Sequence, residues 1–477
     1  MLDRKIAPYR FHGQTVSLCE TCLAPVPAKI LLEDGRVYYQ KRCRTHGVQK
    51  SLISSDADYW LRCFNWIKPG DRPMDFQTRI DHGCPYDCGL CPDHEQHSCL
   101  ALIEITDHCN LTCPTCFAVS APAKANNLSL KEVESMLDAL VASEGEPDLV
   151  QISGGEPTLH PQILEILAAA KERPIRHLML NTNGIKLARD PAFVEALAAF
   201  KPGFEIYLQF DSLHDEALKD LRGAALTRMR QQALENLERV GISTTLVCVV
   251  KRGVNDHELG AIINHALQWS CVRGVTFQPV QDTGRNEGFN PKCHRFTLSD
   301  IRSAIAKAGT GFEATDLIPL PCNPESICIG YGLRDGASVT PITRFLPREL
   351  IVEEAPNSVS FEKFPELHQR LFDFFSLSTG PETTTERIES LFCCLPSVPV
   401  VGSLGYADLF RVAIVEFLDP HNFCLSRVKR SCIHFVTPEG NIVPFDTYNL
   451  FYRDNEARAR KNMSFEALKR NMCEVSR

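Results

Sequence analysis

The chain has 477 residues, of which 44% are hydrophobic and 23% charged, and 51 Lys and Arg face 59 Asp and Glu for a net charge of −8. At ~150 residues per domain this is material for about three domains around ample cores, and it excludes collagen-like, disordered and transmembrane classes. The acidic balance speaks against a partner bound by broad phosphate neutralisation, so no nucleic acid is expected.

The chain opens MLDRKIAPYRFHGQ, without an apolar core or a small-residue cleavage site, and no uncharged apolar run reaches the ~18 residues of a membrane helix. The expected localisation is cytoplasmic, where disulfides do not persist and clustered cysteines among the 21 present bind metal or do chemistry. Cys19 and Cys22 form a CxxC, and Cys43 and His46 a CxxH. Two such knuckles pinch one tetrahedral ion, and the ILLEDGRVYYQKR between them alternates like a hairpin turning at Asp34-Gly35. Residues 1–66 are read as a zinc-ribbon or rubredoxin-like module holding mononuclear Fe or Zn, with Cys63 as an alternative to His46. In residues 67–100, Cys84, Cys88 and Cys91 form a CxxxCxxC with Cys99 shortly after. Four thiolates would close an auxiliary four-iron site; a zinc knuckle is the alternative.

From residue 101 to 310 the pattern becomes periodic. Strand-like runs occur at 101–106, 148–153, 177–182, 205–210, 243–250 and 274–280, with helical patterns between them. Ser129 with Glu132 forms a capping box ahead of Val133, Met136, Leu137, Leu140 and Val141, and Thr297 opens a late helix with Asp300 at the fourth place. Pro161 suits a first helical turn, and Gly241 a helix end. Such strand-then-helix units predict an α/β fold with a parallel sheet, closing as a partial (β/α)6 TIM-like barrel. The loops after the first two strands, DHCNLTCPTC and GGEPT, then fall on one face, where such folds place their sites. Cys109, Cys113 and Cys116 form a second CxxxCxxC there, able to hold three irons of a four-iron cluster and leave the fourth open.

In the C-terminal region, 311–477, Cys322, Cys328, Cys424 and Cys432 offer four thiolates for a further cluster, at loose spacing. Residues 335–420 carry no motif, but FEKFPELHQRLFDFFS reads as an amphipathic helix burying Phe361, Phe364, Leu367, Leu371 and Phe374/Phe375. The remaining cysteines (Cys248, Cys271, Cys293, Cys393, Cys394 and Cys473) read as packing or surface residues.

CNLTCPTCF followed by SGGEPTLHP resembles the radical S-adenosylmethionine (SAM) superfamily. The resemblance implies that Cys109, Cys113 and Cys116 hold the radical [4Fe-4S] cluster and that SAM chelates its open iron. Gly154, Gly155 and Glu156 match the motif that lies along the methionyl amine; Asn183, Gln209 and Asp211 are candidates for ribose or substrate contacts. It further implies an electron from a flavodoxin- or ferredoxin-like reductant and a 5′-deoxyadenosyl radical that takes hydrogen from an unactivated carbon. The N-terminal ribbon, GCPYDCGLCPDHEQHSC and the late CIHFVTPEGNIVPF narrow the resemblance to archaeal tetraether lipid synthases and methanopterin-type pterin methylases. That implies one or two auxiliary clusters and C–C bond formation or C-methylation on a lipid-like or pterin-like substrate. A lipid would demand an apolar tunnel and peripheral membrane contact, a pterin a compact polar pocket. In PFDTYN, Asp446 stands where those relatives carry Cys, which bears on the third cluster's ligand set. Radical modification of a peptide or other small molecule remains an alternative, as does an iron–sulfur electron-transfer or metal-binding module without enzymatic activity.

Overall fold

The computed structural model describes residues 7–344 and 409–475. The helix expected over 361–376 lies outside the described residues. The N-terminal module is an antiparallel meander of β1 (Arg10–Leu18), β2 (Pro25–Glu33), β3 (Arg36–Cys43) and β4 (Gly47–Ser54), paired in sequence order. Asp34 and Gly35 both adopt positive φ, 50° and 71°, the tight-turn geometry that joins β2 to β3 with Glu33 opposite Arg36. One face of the meander packs Ile30, Leu32, Val37 and Tyr39 against Trp60, on the short helix Ala57–Cys63.

All six runs expected as strands form parallel strands, neighbours in chain order: β5 (Leu100–Glu104), then β7 (Leu149–Ser153), β8 (His177–Thr182), β9 (Phe204–Gln209), β10 (Thr244–Val250) and β11 (Val272–Pro279). The two-residue β6 (Thr115–Cys116) belongs to the loop after β5, where it pairs with β12 (Arg285–Asn286). The capping boxes at Ser129/Glu132 and Thr297/Asp300 are both made, and Gly241 ends its helix in the left-handed region. Pro161 lies just outside its helix, which runs Ile163–Lys171; Pro157 instead begins a short 3-10 turn after β7.

Strands from both sides of the boundary expected at residue 310 share one sheet. β16 (Leu409–Val415) extends it in parallel beyond β11, and β17 (Ile433–Val436) does the same beyond β5. Eight parallel strands result, flanked on one side by antiparallel β14 (Ile327–Asp335), with β13 (Ile318–Pro319) and β15 (Ser338–Pro341) paired to it, and on the other by β18 (Ile442–Pro444). No strand pair among the described residues joins the two ends, so the barrel is open. Helices cover its outside through a core that includes Ile103, Val150, Leu180, Ile206, Leu246 and Val275.

Candidate active site and metal centres

The loop after β5 carries Cys109, Cys113 and Cys116, and the loop after β7 is bonded to it. Gly155 N donates to Thr106 O and Glu156 N to His108 O, both at 2.8 Å. A Cβ on Gly154, whose φ is +138°, would strike the Thr106 backbone, and one on Gly155 the His108 backbone. The two glycines therefore serve close contact between the motif loops, in addition to any approach to a ligand. Arg285, on β12, donates to the Cys113 and Ser120 carbonyls, pinning the loop from its far side.

All three thiols line one cavity together with Gly154, Gly155 and Glu156. Burial pushes the Cys109 thiol up to about 12 and raises that of Cys113, so bound iron would have to supply the driving force for deprotonation. The donor set fits a four-iron cluster with one open iron: three soft ligands, and no fourth cysteine on the wall among the described residues. Ser120 Oγ, buried on the same wall without a hydrogen-bond partner, is available to a ligand.

Glu156 is almost wholly committed to the scaffold. Its carboxylate accepts from Thr158 Oγ1 (2.6 Å), Thr182 Oγ1 (2.7 Å) and Asn183 N (2.7 Å), which ties the loop after β7 to the end of β8. It is thus a positioning group, more than the free acceptor for an ammonium that its motif suggests. Asn183 lines the cavity and donates from Nδ2 to Asn110 at 2.7 Å. Gln209 lines it too, bonded to Asn181 at 2.9 Å. Asp211 does not line it: fully buried, it takes two bonds of 2.6 Å from Arg222. Arg222 is the residue that reaches the cavity, against Cys113, and nothing in the sequence spacing marks it.

Next to this cavity lies the barrel lumen, lined by inward side chains of the parallel strands. Asn181, Gln209, Gln278, Phe117, Phe417 and Phe445 line both spaces, making them continuous. Phe417 and Phe445 stack at 3.9 Å between centroids, 25° apart. Most of the lumen wall is apolar, with Leu102, Leu149, Met179, Ile329 and Val415 among its side chains; within it Gln151, Tyr207, Thr245, Thr276 and Arg411 form a polar patch. Arg411 donates to Glu205 at 2.5 Å and to Thr245 Oγ1 at 2.9 Å, while His177 Nε2 reaches the other Glu205 oxygen at 3.1 Å. Burial alone would raise the Glu205 pKa; Arg411 and His177 outweigh it and hold the carboxylate well below its usual range. Gln151 Oε1 is buried and has no partner.

The other cysteines regroup. Cys19, Cys22, Cys43 and His46 present their ligand atoms within 4.8 Å of one another. Cys63 lies in the barrel core instead. Cys84 sits beside Cys88, whose Sγ accepts from Thr447 Oγ1 at 3.0 Å. Cys99 does not complete that triple; it joins Cys322 and Cys432, again within 4.8 Å. Cys328 and Cys424 leave the set proposed for them. Cys328 points into the helix-covered core near Tyr59, because the pleat of β14 turns Ile327 and Ile329 to the lumen and Cys328 to the opposite face, and Cys424 packs on the ribbon, where Thr15 Oγ1 lies 3.1 Å from its Sγ. Asp446 accepts from Leu418 N at 2.6 Å, and burial pushes its pKa up to about 7. Its neighbour Thr447 touches Cys88, so this segment adjoins the Cys84–Cys91 triple, while Phe445 on its other side packs in the hydrophobic cluster that holds Cys99, Cys322 and Cys432.

Comparison with known proteins matches the radical SAM superfamily model at residues 103–266 and the HMPTM N-terminal zinc ribbon domain at 11–55. The chain is 32% identical over 497 aligned positions to a 7,8-dihydro-6-hydroxymethylpterin dimethyltransferase of Methanocaldococcus jannaschii, covering 96% of this chain and 97% of that one. A GTP 3′,8-cyclase of Chlorobaculum tepidum is 31% identical over 222 residues, 44% of this chain and 62% of that protein. Among solved structures, Streptococcus suis SuiB bound to SAM aligns with a TM-score of 0.37 at 20% identity, over 44% of this chain and 46% of that one. No helix among the described residues is long and apolar enough to cross a membrane.

Proposed function

We propose that this chain, which belongs to the radical SAM superfamily, methylates carbon on a reduced pterin of the 7,8-dihydro-6-hydroxymethylpterin type. The observation that carries the reading is the polar patch around Gln151 and Arg411, set in an otherwise apolar lumen that opens directly on the three-cysteine cavity. A tetraether-type lipid would leave the unpartnered Gln151 Oε1 against hydrocarbon, at a cost of a few kcal/mol, and would make no use of Arg411. A bicyclic heterocycle with donors and acceptors along its edge meets them instead. Similarity along nearly the whole chain to a pterin dimethyltransferase supports the same substrate class.

Cys109, Cys113 and Cys116 would hold the cluster, and with SAM bound the cluster supplies a carbon-centred radical able to take hydrogen from an unreactive carbon. The rest of the work falls to this chain's side chains. Arg222, locked by Asp211, sets a positive charge against Cys113 and so favours its thiolate. Glu156 fixes the turn after β8 that carries Asn183. The Phe417–Phe445 stack offers a flat face for a planar ring at the junction of cavity and lumen, and shields that junction from water. Arg411, held by Glu205, can donate to a ring carbonyl or nitrogen, and Gln151 Oε1 can accept from an amino group. Because the Glu205 carboxylate offsets the Arg411 charge, the pair suits a neutral ring edge better than a phosphate.

The test is anaerobic titration of the reconstituted enzyme with 6-hydroxymethylpterin, followed by the pterin's own fluorescence. Saturable binding is expected, weakened about 5- to 10-fold by Gln151→Met, the loss of one neutral hydrogen bond. If the pterin fails to saturate while an isoprenoid lipid binds, the pterin reading is wrong.

A further inference from the structure

The third cysteine group does not have the form that a four-iron cluster requires. In a cluster each thiolate caps a different iron, whereas thiolates sharing one ion crowd together. With metal–sulfur bonds near 2.3 Å and tetrahedral angles, two thiolates on one zinc stand roughly 3.8 Å apart, and a thiolate and an imidazole nitrogen roughly 3.6 Å. Cys322 Sγ and Cys432 Sγ are 3.5 Å apart, and Cys99 Sγ joins them within 4.8 Å. The ribbon shows the same crowding, with Cys22 and Cys43 at 3.9 Å and Cys19 and His46 at 3.4 Å. The radical triple Cys109/Cys113/Cys116 forms no such tight group.

A fourth donor stands beside Cys99. His97 Nε2 lies 3.4 Å from Cys99 Sγ, and its Nδ1 meets Glu144 Oε2 at 3.0 Å. A carboxylate on the far nitrogen is how metal-bound histidines are oriented and made more basic. Glu144 is itself fixed, since Ser98 N donates to its other oxygen at 3.1 Å. Turning the imidazole away from Asp148, whose Oδ2 lies 3.9 Å from its Nε2, toward Cys322 and Cys432 would complete a closed Cys3His set, the ligand pattern of structural zinc.

The location gives the site a task. Cys99 immediately precedes β5 and Cys432 immediately precedes β17, at one end of the sheet, while Cys322 lies in the turn before β14, at the other. Apolar packing of Leu320 and Ile327 with Leu102 and Ile433 crosses the same seam, as does the Arg430–Glu325 ion pair at 2.5 Å. We propose that Cys99, Cys322 and Cys432, with His97 as fourth ligand, hold one zinc ion that clamps together the two ends of the open barrel. The chain then carries two mononuclear centres and, at Cys84, Cys88 and Cys91, one auxiliary cluster site.

Zinc, iron and sulfide per chain, measured on the anaerobically reconstituted full-length protein and on its Cys322→Ser variant, test this. The variant should lose about one zinc with iron and sulfide unchanged, the signature of a single-ion site. Loss of about four irons with their sulfide would overturn the proposal in favour of a cluster, and unchanged metal content would overturn it outright. Should Cys322→Ser fail to fold, Glu144→Gln serves: it removes only the charge behind His97. Zinc should then be lost to a competing chelator with 10- to 100-fold weaker retention, and retention equal to wild type would refute the site.

Discussion

Replacing Arg411 with methionine strips the guanidinium from Glu205, a carboxylate with no solvent exposure. Breaking a buried pair from one side costs about 3–5 kcal/mol, because a charge is left uncompensated. Glu205 keeps His177 at 3.1 Å and Thr245, which places the expected loss at the lower end, about 3 kcal/mol. At about 1–2 °C per kcal/mol for a cooperative unit of this length, the melting temperature should fall by about 3–6 °C. Adding Glu205→Gln removes the stranded charge, so the double variant should recover much of the loss, giving a coupling of about 2 kcal/mol or more in the cycle. The pH sign follows from the lowered Glu205 pKa. The stability due to the pair is present above the unfolded carboxylate value of about 4.3 and is lost as pH falls through the lower folded value. The gap between wild type and Arg411→Met should therefore narrow below about pH 4. Thermal unfolding of the four proteins by circular dichroism across pH reads all of this. A single-variant loss under about 1 kcal/mol, or a double variant equal to the sum of the two singles, would refute the coupling.

Gly155→Ala should reduce the iron held by Cys109, Cys113 and Cys116, since its Cβ would meet the His108 backbone, while ribbon metal content stays at wild-type level in the same elemental assay. Asp211→Asn leaves Arg222 without the carboxylate it meets twice at 2.6 Å; SAM affinity by calorimetry and the cluster midpoint potential should both shift, with pterin binding less affected. His421 joins the ribbon to the loop after β11, facing Glu20 at 3.2 Å and Asp282 at 3.0 Å. Burial would lower its pKa, but bonds to Asp282 and Glu20 hold it up at about 9; the stabilisation is full below about pH 6.5 and should fade as pH rises through 9, an effect that His421→Ala abolishes in a pH series of melting temperatures.

The parallel barrel was legible because each of its first six strands is an apolar run followed by a helical pattern, all written within about thirty residues, with capping boxes marking the first and last of those helices. β14, β16, β17 and β18 were not, since their pairing with distant strands leaves no local period. The same limit governs the cysteines. Cys19 and Cys22 meet Cys43 and His46 through a hairpin that Asp34-Gly35 announces, so the ligand set follows from spacing. Cys99 meets Cys322 and Cys432 only because the sheet curls its two ends together, and proximity in sequence points wrongly to Cys91. Cys328 and Cys424 sit close in sequence to true members of that group, yet strand pleat and the ribbon contact carry them elsewhere. Arg222 and Arg411 read as ordinary helix-end and strand arginines until the fold sets them against Cys113 and in the lumen.

The most direct measurement is a single anaerobic reaction: reconstituted enzyme, SAM, a strong reductant and 7,8-dihydro-6-hydroxymethylpterin, with 5′-deoxyadenosine and pterin products followed by mass spectrometry. The account predicts pterin-dependent 5′-deoxyadenosine and a pterin heavier by one or more methyl substitutions, both absent in the Cys109/Cys113/Cys116→Ala variant. Formation of 5′-deoxyadenosine that is indifferent to the pterin, with no methylated product, would contradict it.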